Sequence, residues 1–180
     1  MKKQLRFFIL LWLLYSIAPA IASDVRVVIN LSRQQAYLLQ DNRVILISPI
    51  SSGRADWSTP QGSFHVISRD MNHRSHSFGS VVDAAGRVVN SNATPASRVP
   101  AGGHFNCAPM PFYMEFSPAV GMHGGYLPGY PASHGCVRMP GDMAAQFFHR
   151  VQIGTPVTVT GSASEVTHVR KALPVVSAGR

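Results

Sequence analysis

The stretch from Asp24 to Ile50 constrains the fold most, because three short apolar runs follow one another with only tight turns between them. Each of the runs at 25–30, 36–39 and 44–47 shows one of two strand patterns. Either apolar residues alternate with polar ones, or β-branched and aromatic residues cluster. Strands this close together, joined by turns, predict an antiparallel all-β arrangement.

The rest of the chain continues the pattern, with one helix and one irregular segment. Strand-like runs recur at 64–67, 113–116 and 157–160. Apolar residues at helical spacing predict a helix at 142–151, with Gly141-Asp142 as its N-cap. Between Ser68 and Pro111 the periodicity is weak and turn residues are frequent, which predicts a long irregular lid loop.

We therefore expect a single mainly β domain over residues 24–160, an antiparallel β-sandwich or barrel-like fold with one short helix and that lid loop. Residues 161–180 are expected to form a flexible C-terminal tail.

The first 22 residues have the pattern of a secretory signal peptide. The basic residues are Lys2, Lys3 and Arg6, and an apolar run follows at 7–18. Small residues then predict cleavage after Ala20 or Ala22. An uncleaved membrane anchor is the alternative, although Pro19 interrupts the run before the roughly 20 apolar residues that a spanning helix needs. We expect an exported protein of the periplasm or cell envelope.

The charge pattern excludes one class of partner. Removal of the signal segment takes away three basic residues and lowers the net charge from +8 to +5. The remaining arginines are scattered, so no concentrated basic patch for nucleic acid is present. A mildly basic exported protein suits an anionic polymer such as a cell wall.

The run Ser133-His134-Gly135-Cys136 holds the candidate nucleophile, Cys136. A glycine before a nucleophile permits unusual backbone dihedrals, so that nearby amides can point at the oxyanion of a tetrahedral intermediate. A neighbouring histidine activates a thiol. His123 lies at a predicted strand end beside Gly124 and Gly125, where it is well placed to act as the base.

These residues resemble a known family. His123-Gly124-Gly125 followed by Ser133-His134-Gly135-Cys136-Val137-Arg138 resembles the catalytic signature of the L,D-transpeptidases, the cysteine enzymes that cross-link peptidoglycan. The run Thr59-Pro60-Gln61-Gly62-Ser63-Phe64 is similar to the Thr-Pro-x-Gly-x-Phe run that precedes this signature in the family. The resemblance extends over most of 24–160.

The resemblance implies an acyl-transfer mechanism. Cys136 attacks the carbonyl of the diamino acid at position three of a tetrapeptide stem, D-alanine leaves, and an amine resolves the thioester. His123 is then the base, and His134 with the amides of Gly135 and Cys136 lines the oxyanion region. The implied substrate-binding residues are Arg138, Ser133, Gly124, Tyr113 and Met122, with Met110 and Phe112 as further candidate walls that are equally suited to the core.

Two departures from the family pattern concern the loop after His123. The loop to Ser133 is shorter than in many members, and Gly124 stands where some members carry a serine. A backbone carbonyl can orient the imidazole in place of that serine.

Two other interpretations of the cysteines and histidines stay open. In an oxidising compartment Cys107 and Cys136 would pair by default as a disulfide, which would block the chemistry. The pairs His73-x-x-His76 and His104-x-x-Cys107 have zinc-like spacing, but no four-ligand set accompanies them. We expect two free thiols and no metal.

The function expected from the sequence is therefore a peptidoglycan L,D-transpeptidase, a transferase of cell-wall synthesis. Its expected partners are peptidoglycan stem peptides, an anchored lipoprotein as a possible acceptor, and a carbapenem as covalent inhibitor. No cofactor is expected, since thiolate chemistry needs none. The alternatives are a carboxypeptidase or endopeptidase that uses the same residues, and a non-catalytic wall-binding module.

Overall fold

The computed structural model describes residues 24–162 of the 180-residue chain. The predicted signal segment and the predicted tail from residue 163 onward lie outside the described residues. Within the described range the elements are β1 (Val25–Asn30), β2 (Gln35–Gln40), β3 (Arg43–Pro49), a 3-10 turn (Ala55–Trp57), β4 (Gly62–His65), β5 (Ser68–Asp70), β6 (Arg74–Val82), β7 (Val88–Ala93), β8 (His104–Pro109), β9 (Tyr113–Ser117), β10 (Val120–Gly124), β11 (Val137–Met139), α1 (Gly141–Arg150) and β12 (Pro156–Thr160).

The largest sheet has five strands in the order β3-β2-β1-β12-β4. Its first three strands form the predicted antiparallel meander. Asp41 and Asn42 join β2 to β3 with φ values of 50° and 63°, as a tight hairpin turn requires. The closing strand β12 pairs with β1 in parallel, with Val157 opposite Val27, so the sheet is mixed rather than wholly antiparallel.

A second sheet has four strands in the order β11-β10-β9-β5. Strand β10 pairs antiparallel with β9 and parallel with β11. The loop 125–136 returns the chain so that β11 runs alongside β10 in the same direction. This loop ends at the predicted nucleophile, and it therefore positions the site described below.

The third sheet corrects the prediction of an irregular lid loop. The order β7-β6-β8 runs through the middle of the segment 68–111, with antiparallel pairing throughout. Most residues of β7 and β8 are exposed or half-buried. The alternation of apolar and polar residues arises only where one face is buried, and so the sequence carries little signal for these strands.

The core lies where the five-stranded sheet, the four-stranded sheet and α1 pack together. It contains Val27, Ile29, Leu38, Met114, Phe116, Met122, Phe147, Val157 and Val159, among others. Helix α1 begins at Gly141 after Pro140, and its N-cap has no side-chain hydrogen bond, so the predicted cap at Asp142 is wrong. The mainly β fold with one helix is confirmed. The three sheets are not closed into a barrel.

Candidate active site

The four-stranded sheet and the loop that enters β11 carry the predicted catalytic residues. Strand register places His123 on β10 beside Arg138 on β11. Cys136 ends the loop directly before β11, and its Sγ lies 3.7 Å from the carbonyl oxygen of Ala119, directly before β10. The face of the sheet opposite His123 carries Met122 and Val137, which are wholly buried in the core. The thiol therefore lies against the start of the strand that carries His123.

His123 is a neutral base held in one orientation. Its side chain is buried, and its Nδ1 lies 3.0 Å from the carbonyl oxygen of Gly124. With Nδ1–H donating to that oxygen, Nε2 is left free to accept a proton. Burial lowers the pKa of His123 to about 4, with Arg138 and His73 adding to the effect and the Gly124 hydrogen bond opposing it.

Gly124 provides the backbone carbonyl that the sequence suggested in place of a serine. Its N–H donates to the carbonyl of Pro111 at 2.8 Å. A Cβ at Gly124 would come within 3.2 Å of the Pro111 ring and 3.4 Å of the Gly141 Cα. This close packing explains why position 124 is a glycine. The Gly124 carbonyl orients the His123 ring, and this role replaces the predicted substrate contact.

Cys136 is a half-buried free thiol. Burial raises its pKa, and the charge of Glu115 adds to this rise. The N–H of Gly121 and the charge of Arg138 oppose it. The Sγ lies 3.7 Å from the carbonyl oxygen of Ala119. A thiol with a raised pKa needs a base for nucleophilic attack, and the neutral imidazole of His123 on β10 is the candidate.

Tyr113 lies over the backbone next to the thiol. A Cβ on Gly121 would be 2.6 Å from its ring carbon Cε2, so the ring occupies the space that a side chain there would need. Its ring centroid is 6.3 Å from that of His123 and 4.2 Å from that of His73, on which it stacks. Burial and the charge of Cys136 raise the pKa of Tyr113, so its hydroxyl remains a hydrogen-bond donor.

The loop before Cys136 is held by two hydroxyl groups. Ser133 Oγ accepts the N–H of Gly135 at 3.1 Å and donates to the carbonyl of Cys136. Thr59 Oγ1 donates to the carbonyl of Gly135 at 2.7 Å and accepts the N–H of Gly53 at 2.9 Å. Gly135 has φ +113°, a conformation that favours glycine. Ser133 is thus a brace of the loop rather than a substrate contact.

The hydrogen bond from Gly135 to Ser133 changes one prediction. The amide of Gly135 is already engaged, so it does not point at an oxyanion as expected. The conformation of Gly135 still turns the chain into Cys136. Its contribution is therefore the shape of the loop.

His134 contacts aromatic rings. It stacks on Phe78 with 4.1 Å between ring centroids and an interplanar angle of 8°, and Trp57 packs edge-on at 5.3 Å. Burial lowers the pKa of His134, and the charges of Arg54 and Arg138 lower it further. These contacts make His134 part of the wall of the site.

Met122 is not a substrate-binding residue. It is fully buried on the core side of β10, because its neighbour His123 occupies the site face. Met110 is buried as well, and Phe112 packs against Phe148 of α1 at 5.8 Å. Of the four predicted walls, only Tyr113 faces the thiol.

The alternative uses of cysteine and histidine find no support in the described residues. Cys107 and Cys136 are both free thiols, so they do not form the alternative disulfide. In the segment 24–162 no three His, Cys, Asp or Glu side chains are grouped closely enough to hold a metal ion. Nor is any helix of that segment long and apolar enough to cross a membrane.

Several residues around the site have no role that the sequence alone predicts. Thr59 stood in a recognised run but without a function, and Arg54, Trp57, Phe78 and Glu115 were not singled out. The Thr-Pro-x-Gly run was the one available signal, for Thr59. The others lie far from Cys136 along the chain and are brought to it by tertiary packing.

A thiol and an oriented neutral imidazole are the two groups that acyl transfer through a cysteine needs. The YkuD family model, which describes the L,D-transpeptidase catalytic domain, matches residues 24–159. The chain therefore belongs to the L,D-transpeptidase family, a family of enzymes that act on the cell wall.

Individual relatives are distant. L,D-transpeptidase 1 of Mycobacterium tuberculosis is 25% identical over 134 residues, which make up 74% of this chain and 49% of that protein. The chain thus spans about half the length of the curated relatives it matches.

Solved structures share the fold. An L,D-transpeptidase from Xylanimonas cellulosilytica has a TM-score of 0.58 at 24% identity, over 79% of this chain and 63% of that one. LdtMt1 in complex with imipenem has a TM-score of 0.56 at 23% identity, over 77% of this chain and 59% of that one.

Proposed function

We propose that the chain is a peptidoglycan L,D-transpeptidase in which Cys136 is the nucleophile. The observation that carries the proposal is the position of the Cys136 thiol, whose Sγ lies 3.7 Å from the carbonyl oxygen of Ala119, directly before the strand that carries His123. The hydrogen bond from Nδ1 of His123 to the Gly124 carbonyl supports it, because Nε2 is then the free nitrogen.

In the first half-reaction Nε2 of His123 takes the proton of the Cys136 thiol as Sγ attacks the carbonyl carbon of the diamino acid. The bond to D-alanine breaks, its amine receives the proton from His123, and a thioester remains. The amide of Cys136 and the hydroxyl of Tyr113 are the donors proposed for the oxyanion.

In the second half-reaction an amine attacks the thioester and regenerates the thiol. The amine is the side chain of another diamino acid, which gives a cross-link between stems, or the lysine of an anchored lipoprotein. Water in the same position would give carboxypeptidase activity. The signal-like segment 1–22 supports a location in the periplasm or cell envelope.

A carbapenem tests the nucleophile directly. A relative of this fold was solved with imipenem, and we expect imipenem to add one drug mass to the mature protein. Cys136→Ala should gain no mass. Cys107→Ala, which removes the other free thiol, should be modified like the wild type. Wild-type protein that stays unmodified, or modification that follows Cys107, would contradict the proposal.

Product analysis then separates transfer from hydrolysis. Purified disaccharide-tetrapeptides incubated with the protein should give cross-linked dimers and free D-alanine, detected by mass spectrometry. Tripeptides without dimers would instead identify a hydrolase that uses the same thiol.

A further inference from the structure

The ring of Tyr113 is packed against a residue outside the proposed catalytic pair. The side chain of Tyr113 is buried, and the imidazole of His73 lies almost parallel to its ring. The two ring centroids are 4.2 Å apart, and the angle between the planes is 14°. Aromatic rings at this separation are in direct contact. His73 therefore covers one face of the tyrosine ring.

The hydroxyl end of the Tyr113 ring lies against the start of β10. A Cβ on Gly121 would be 2.8 Å from Cζ of Tyr113, the ring carbon that bears the hydroxyl. No side chain at position 121 fits beside the ring, and a glycine leaves the space that the ring occupies. The Sγ of Cys136 lies 3.7 Å from the carbonyl oxygen of Ala119, two residues before Gly121. The hydroxyl end of the ring and the thiol thus lie against the same segment, 119–121.

The imidazole of His73 is itself held by a carboxylate. Its Nδ1 lies 3.3 Å from Oδ2 of Asp70, and Oδ1 of Asp70 accepts the N–H of Asn72 at 3.0 Å. Asp70 also stands opposite Tyr113 in the antiparallel pairing of β5 with β9. One carboxylate therefore fixes both the turn that leads to His73 and the orientation of its ring.

The backbone around His73 is bound to the segment that leads into Tyr113. The N–H of Met110 donates to the carbonyl of His73 at 2.9 Å, and the N–H of Phe112 donates to the carbonyl of Met71 at 2.9 Å. These two bonds join the turn between β5 and β6 to the residues directly before β9. The position of the imidazole relative to Tyr113 is therefore fixed by backbone as well as by side-chain contacts.

We propose that His73, held by Asp70, is a positioning residue that keeps the Tyr113 hydroxyl at the thiol during acylation. A ring that is covered on one face and blocked at its hydroxyl end has little room to move in a packed interior. Oxyanion donors must be preorganised, and a displacement of about 1 Å costs up to about 10²-fold in rate. His73 acts through the tyrosine rather than on the substrate. The inference rests on the proposed function, because the oxyanion is that of the acylation step.

A double-mutant cycle on acylation by imipenem tests this role. Adduct mass gives the maximal rate constant and the half-saturating drug concentration for the wild type, His73→Ala, Tyr113→Phe and the double variant. Tyr113→Phe should lower the rate constant about 10²-fold, the size of one oxyanion donor. His73→Ala should lower it about tenfold and leave the half-saturating concentration nearly unchanged. In the Tyr113→Phe background His73→Ala should cost less than about twofold, since no hydroxyl is left to position.

Two further variants separate the ring contact from other properties of His73. His73→Phe keeps a ring against Tyr113 and should react within about threefold of the wild-type rate. His73→Gln keeps a polar side chain without the ring, should slow acylation as His73→Ala does, and replaces that variant in the cycle if His73→Ala does not fold. His65→Ala, which removes an exposed histidine on β4, should react at the wild-type rate.

A spectrum of the protein without drug tests the packing of Tyr113 independently of the reaction. In protein with ¹³C-labelled tyrosine rings, the Tyr113 signal is the one that Tyr113→Phe removes. The magnetic field of the stacked imidazole acts on this signal, so His73→Ala and His73→Gln should both move it. His65→Ala should leave it in place.

The outcomes separate this inference from the proposed function. The positioning role is overturned if His73→Ala reacts at the wild-type rate, if it slows acylation equally with and without the tyrosine hydroxyl, or if it changes only the half-saturating concentration. Each of these results leaves the proposed function standing, because the wild type is acylated. A Tyr113 signal that His73→Ala does not move would also overturn the positioning role. Wild-type protein that imipenem does not acylate would contradict the proposed function itself.

Discussion

The four-stranded and three-stranded sheets differ in what lies behind them. The four-stranded sheet rests on core residues such as Met114 and Met122, neither of which is exposed to solvent. In the three-stranded sheet, Val88 and Val89 are more than half exposed. Residues proposed for catalysis need precise placement, and they lie on the sheet whose other face is packed against the core.

The two sheets meet at the loop that holds the thiol. Phe78 belongs to β6, and its ring stacks on His134, two residues before Cys136. An irregularity in the β6–β8 register between Arg74 and Gly79 accompanies this contact, with Ser75 Oγ accepting the N–H of Phe78 at 3.0 Å. The exposed sheet thus contributes one wall to a site that the buried sheet supports.

The largest expected effect tests whether the four-stranded sheet, and not the three-stranded one, supplies the catalytic base. The test compares one histidine from each sheet. His123→Ala should slow acylation by imipenem about 10²- to 10⁴-fold, because a thiol with a raised pKa loses its base. His76→Ala, on β6 of the three-stranded sheet, should react at the wild-type rate. Time courses of adduct mass measure both, and an unslowed His123→Ala would show that the buried sheet does not supply the base.

Core support is tested by paired truncations. Met122→Ala removes a fully buried side chain and should lower the free energy of unfolding by about 2–5 kcal/mol. Val89→Ala removes an exposed one and should change it by less than about 0.5 kcal/mol. Urea denaturation of the mature protein gives both values. Similar losses of unfolding free energy in both variants would mean that the two sheets contribute equally to stability.

Acid should lower the free energy of unfolding through the protonation of His123. Its folded pKa is about 4 against 6.5 for the free side chain, so the unfolded chain binds the proton first. Stability should therefore fall as the pH drops from about 6.5 to about 4, by about 3 kcal/mol in all. His123→Gln should lack this component. Denaturation midpoints measured across that range check it, and an identical slope in the variant would exclude His123 as its source.

The smallest expected effect concerns the contact between the sheets. Phe78→Leu removes an aromatic pair, a contribution of about 0.5–1.5 kcal/mol. We expect acylation to slow about three- to tenfold, with a loss of unfolding free energy no larger than this contribution. Val88→Ala serves as the control on the same sheet. A loss of stability without a change in acylation would reassign Phe78 to a purely structural role.

Local pattern was sufficient for much of the fold and for the centre of the site. The meander β1–β3, strands β9 and β12 and helix α1 were predicted near their observed positions, because each buries one face and shows the corresponding period. The short spacing from His123 to Cys136 predicts that the two belong to one site, and the structure places the thiol directly before the strand that carries His123. Met122 could also have been assigned to the core, since strand alternation excludes it from the face of His123.

Other features depend on contacts between distant segments. The parallel pairing of β1 with β12 joins the two ends of the domain, and β6–β8 lack the apolar alternation that marks a half-buried strand. Thr59 hydrogen-bonds Gly135 across 76 positions of chain. No local period encodes such partners, because they are selected by packing after the elements have formed.

By itself the sequence determined that the chain forms a mainly β domain, and it predicted a cysteine and a histidine for acyl transfer. Only the tertiary structure decided the state of that pair. It buries the imidazole of His123, which lowers its pKa, and it pairs the Gly135 amide with the Ser133 hydroxyl. The physical reason is that pKa values and hydrogen-bond partners depend on burial and distance, which motif spacing does not specify.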